Sequence, residues 1–104
     1  MKKYIFIKFA ENPLYRVRTA FNNKEIILDF VYNYRTEAYG LTITDRFGNV
    51  LLRNKMLIEG NQYDFTTSAK LLNYDAYVTL YRIPEANPNS DKWSDKYELL
   101  IIQK

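Results

Sequence analysis

The sequence predicts an all-β fold, a single-domain antiparallel small barrel or sandwich of about seven strands. Three observations carry that expectation. Ten Tyr and six Phe stand beside many Ile, Val and Thr, side chains that fit a pleated, half-buried surface. Apolar residues recur at every second position through several segments, the period of a strand with one wet face. Asn, Asp and Gly separate those segments at hairpin spacing. A length of 104 residues fits one β domain spanning 1–104, with enough chain to bury a real core.

The elements follow in order. Tyr4 to Phe9 is the first strand candidate. In 14–21, Tyr15, Val17, Thr19 and Phe21 alternate with Leu14, Arg16, Arg18 and Ala20, which predicts a half-buried strand with a basic outer row. In 24–34, Ile26, Leu28, Phe30, Tyr32 and Tyr34 share one side, and Glu25, Ile27, Asp29, Val31 and Asn33 share a wetter one. Asn22-Asn23 suits the turn between these two strands, because Asn tolerates positive φ. Near 38–45, Tyr39, Leu41 and Ile43 alternate with Gly40, Thr42 and Thr44.

Asp45-Arg46-Phe47-Gly48-Asn49 reads as a type I turn with Gly48 in the left-handed position. A strand from Val50 to about Ile58 leads to a turn at Gly60-Asn61. A short run at Tyr63–Phe65 follows. Thr66-Thr67-Ser68 can then cap a single helical turn over Ala69-Lys70-Leu71-Leu72. Strands at 76–83 and 96–103 complete the count, with Pro84 to Ser94 as the longest loop. No segment sustains a 3.6-residue period, so no helix longer than about two turns is expected.

Composition narrows the chemistry. With no Cys, thiol catalysis, disulfides and thiolate metal sites are excluded. With no His, so are Ser-His nucleophiles, His-bound zinc and an imidazole proton shuttle. Twelve acidic residues produce close carboxylate pairs by chance, and no motif selects one pair for hydrolysis. The chain therefore reads as no enzyme, with no cofactor. The apolar start, Tyr4 to Ile7, ends at Lys8, short of a secretory core of roughly 7–15 residues. No apolar run is long enough for a membrane helix.

Two patterns suggest ligands. Asn87, Asn89, Asp91, Trp93, Asp95 and Glu98 have the spacing of an EF-hand calcium loop, with Glu98 at the closing position. Lys92 stands where that loop turns on Gly, and helical flanks are lacking, so a solvated loop with Asx turns is the reading adopted, with no metal. Tyr residues interleaved with Arg16, Arg18, Arg35, Arg46 and Arg53 resemble the recipe of an OB-like module for single-stranded nucleic acid. The formal net charge is only +3 and no block of like charge occurs, which argues against specific nucleic-acid binding. Tyr and Arg are equally the residues of protein interfaces. The interface candidates are Arg16 and Arg18, Ile27 and Val31 on the wetter side of the long strand, and Trp93, which either covers the core or anchors a partner.

The order of several units resembles the phage baseplate plug family. These are Val31-Tyr32-Asn33-Tyr34-Arg35, Ala38-Tyr39-Gly40-Leu41-Thr42-Ile43, and Asp45-Arg46-Phe47-Gly48-Asn49-Val50-Leu51. Leu57-Ile58-Glu59-Gly60-Asn61 and the ending with Asp91, Asp95, Tyr97 and Leu99 extend the likeness over nearly the whole chain. The chain departs from the family pattern at Tyr39, where the family has Trp, and at Trp93-Ser94, where it has Leu-Gly. The resemblance implies a small all-β structural protein at the axis of a tail baseplate, with the baseplate hub and other tail proteins as partners. It further implies a homo-oligomer in the assembled particle. Such a protein is made in the bacterial host cytoplasm, carried in the virion, and does not enter a membrane.

Overall fold

The computed structural model describes residues 3–21, 23–65, 76–87 and 89–103. In these the chain forms eight strands: β1 (Tyr4–Lys8), β2 (Leu14–Phe21), β3 (Lys24–Asn33), β4 (Ala38–Asp45), β5 (Val50–Met56), β6 (Gln62–Asp64), β7 (Ala76–Arg82) and β8 (Tyr97–Gln103). A four-residue helix, α1 (Trp93–Lys96), precedes β8. The strands make two antiparallel four-stranded sheets, ordered β1-β8-β7-β6 and β2-β3-β4-β5. Of the two architectures that the sequence allows, the sandwich is the one formed and the closed barrel is not.

The core explains why the alternation works. From the second sheet come Ile26, Leu28 and Phe30 of β3 with Leu41 and Ile43 of β4, and from the first come Val78 and Leu80 of β7 with Leu99 and Ile101 of β8, all buried in one cluster. Each strand contributes every second residue, as a pleated strand with one covered face must. Phe9, just past β1, joins the same cluster and makes ring contacts with Phe30, Tyr39 and Trp93.

Both sheets are built largely from neighbours in sequence, with one long-range closure. β2 to β5 form a meander, whereas β1 pairs with β8, Tyr4 opposite Ile102 and Lys8 opposite Glu98. The Asp45–Asn49 turn forms as its sequence predicts. Gly48 has φ 88°, and its N–H donates to the Asp45 carbonyl at 3.2 Å. Asn23 and Gly60 also take positive φ, at 64° and 90°. Asn22 and the helical turn expected over 69–72, with its 66–68 cap, lie outside the described residues. Helix α1 has no counterpart in the sequence reading; it occupies the end of the long loop, and the last strand starts from it at Tyr97.

Candidate functional site

The outer face of the β2–β5 sheet holds four of the five interface candidates. Arg16 and Arg18 project from β2 and are exposed, but each has an acidic neighbour. The Arg16 guanidinium donates to both Asp29 carboxylate oxygens, at 2.7 and 3.3 Å, and Arg18 lies 3.6 Å from Glu25. These pairs follow from register, since Arg16 faces Asp29 across the β2–β3 ladder. Pairs so open to solvent add little to stability. Their consequence is electrostatic: the basic outer row is largely neutralised.

Ile27 requires correction. It is buried at 8% exposure and offers no surface to a partner. It sits on a central strand between Arg18 and Thr44 in register, and flanking side chains on both neighbouring strands shield a residue that alternation alone places on the wet side. Val31 is 51% exposed. It also has company that the sequence reading misses. Leu14, Val31, Gly40 and Met56 stand directly opposite one another across β2, β3, β4 and β5. Leu14, Val31 and Met56 are all exposed, so an apolar row crosses the sheet. Gly40 leaves a dent in it, where an added Cβ would come within 3.1 Å of the Asn54 side chain.

Trp93 lies elsewhere, at one end of the sandwich, and it is half-buried. Its ring packs on Phe9, Tyr39 and Tyr97, with centroids 5.2, 5.3 and 5.0 Å away. It therefore covers the core, while its remaining surface forms one wall of a cleft of about 210 Å³. Tyr32, Tyr34 and Tyr39 supply further aromatic walls, and Glu11 and Asp91 supply carboxylates. The hairpin β3–β4 places Tyr32 opposite Tyr39. The Tyr39 hydroxyl donates to the backbone carbonyls of Asn12 and Ala10, at 2.7 and 3.1 Å, tying the β1–β2 connection to this end of the sheet.

Burial raises the pKa of Tyr39, helped by Tyr32, Tyr34 and Glu11, and raises that of Tyr32, helped by Glu37, Tyr34 and Asp91. Neighbouring Tyr15 is pushed up to about 12 by burial, against the lowering effect of its hydrogen bond from the Ala10 N–H. These phenols stay neutral at physiological pH and act as walls and hydrogen-bonding groups, not as bases.

The EF-hand spacing does not become a cage. Glu98 is in β8, opposite Lys8 and Tyr81, and Asp95 accepts a hydrogen bond from the Ser90 hydroxyl at 2.8 Å. Asn87 makes an Asx turn, accepting from the Asn89 N–H at 3.0 Å. Among the described residues, no three acidic side chains converge on a point.

Comparison with protein-family models, with curated proteins and with solved structures returns no match.

Proposed function

We propose that the chain is a structural protein that works through protein–protein contacts, as a plug-like component of a phage-type tail baseplate meeting the hub at the tail axis. The exposed apolar row Leu14–Val31–Met56 supports the general reading. A strand face turned to water normally carries polar side chains, and a contiguous apolar strip on it marks a contact surface. The narrower reading draws on the family resemblance of the units between Val31 and Leu51.

The nucleic-acid alternative has less behind it. Of the five arginines behind it, Arg16 and Arg18 each lie within 3.6 Å of a carboxylate, which weakens the field that would hold a phosphate backbone.

Co-expression with the hub protein encoded nearby tests the proposal. Wild-type chain should co-purify with the hub at fixed stoichiometry. Val31→Asp, on an exposed position, should fold normally and weaken that complex at least about tenfold, the effect of losing about 1.4 kcal/mol. A complex indifferent to this change would remove the apolar row from the contact.

A further inference from the structure

We propose that the aromatic cleft at the end of the sandwich is a docking site for the guanidinium head of an arginine presented by a partner protein. This inference rests on the protein-contact reading and names a chemistry for a second part of that contact.

Ring geometry is the first argument. Tyr34 is turned 75° from Tyr32, Tyr32 is turned 71° from Tyr39, and Tyr39 is turned 79° from Trp93, with centroids 5.0–5.3 Å apart. Tyr39 is itself buried, with Phe9 stacked on it, so the ring surface open to an incoming group is that of Tyr32, Tyr34 and Trp93. Aromatic faces attract cations through their quadrupole, and a guanidinium can lie flat on one of them.

Charge is the second. The whole chain is positive, at +3, yet the cleft carries Glu11 and Asp91 against a single Lys92. Lys92 lies 3.4 Å from Glu11, which leaves the Asp91 carboxylate as the acceptor for an incoming cation. A guanidinium stacked on a ring still directs N–H groups outward in its plane, where a carboxylate can accept them.

Size and access select the occupant. A volume of about 210 Å³ is below the roughly 300–1,000 Å³ of small-molecule sites, and suits one side-chain head. Tyr34 is 74% exposed. The cleft lies at the same end of the β2–β5 sheet as the apolar row but on its opposite face, because Tyr32 follows Val31 and Tyr39 precedes Gly40 along their strands. A partner that covers the row and wraps around this end of the sheet brings side chains to the cleft.

Trp93 is the chain's single Trp, so its fluorescence reports this cleft alone. N-acetyl-arginine amide titrated into the full chain should give a saturable change, and the neutral isostere N-acetyl-citrulline amide should bind at least about tenfold more weakly. Tyr34→Ala and Asp91→Asn should each weaken arginine binding about threefold or more, while Tyr34→Phe, which keeps the ring, should not. Melting curves establish that the variants are folded. No saturable response, equal binding of citrulline, or an unaffected Tyr34→Ala would overturn the inference. A hub complex fully retained by Tyr34→Ala overturns it too, and leaves the contact reading standing. Arginine binding by a chain that has no protein partner overturns the contact reading and the choice of a protein arginine.

Discussion

Asp45 shows how much one side chain can fix. It is buried at 1% exposure, and its carboxylate accepts from the Phe47 and Asn49 N–H groups and the Asn49 side-chain amide, each at 2.8 Å. Burial alone would raise its pKa. The hydrogen bonds from Asn49, Phe47 and Gly48 outweigh that, and the pKa is lowered. A carboxyl with a depressed folded pKa adds stability above its unfolded pKa, about 3.9, and this is lost as pH falls through the folded value. Asp45→Asn should therefore lower stability at neutral pH by about 1–3 kcal/mol and flatten the acid limb of a plot of Tm against pH. Gly48→Ala has open space around the new Cβ but a φ of 88°, so about 1 kcal/mol of backbone strain is expected in a denaturant melt. This turn is legible because its residues are adjacent in sequence. Ile27 is not, because alternation identifies a face and says nothing of the height of the side chains around it.

At the scale of elements, strands with local partners are readable and distant pairings are not. The β2–β3 and β3–β4 hairpins put Tyr15 opposite Phe30 and Tyr32 opposite Tyr39, as their alternation and short turns require. Nothing near β1 announces β8, whose partner residues lie at the other end of the chain. Helix α1 has four residues, too few to show a period. The cleft is illegible for the same reason: its tyrosines can be counted, but their meeting with Trp93 depends on a loop folding across the end of the sheet. That loop also supplies a prediction. With Asp95 held by Ser90 and Glu98 placed in β8, millimolar calcium or a chelator should leave the Tm unchanged, since a cation bound only by the folded chain would raise it. An upward shift abolished by Glu98→Ala would restore the calcium loop.

For the whole molecule, composition and period carry the all-β class, while the choice between barrel and sandwich lies in how the sheet edges are disposed, which no local pattern encodes. The proposed role adds a symmetry requirement. A protein that closes an axial channel must conform to the ring around it, so several copies should surround one axis, each using the apolar row or the cleft against a neighbour or the hub. A standard interface buries about 800 Å² per partner, a large share of one face of a chain whose total accessible surface is 6854 Å². The most direct measurement is quantitative mass spectrometry of purified tail particles. The account predicts the chain in those particles, at a fixed ratio to the hub set by the symmetry of the ring. Its absence from particles that contain the hub would contradict the proposed function.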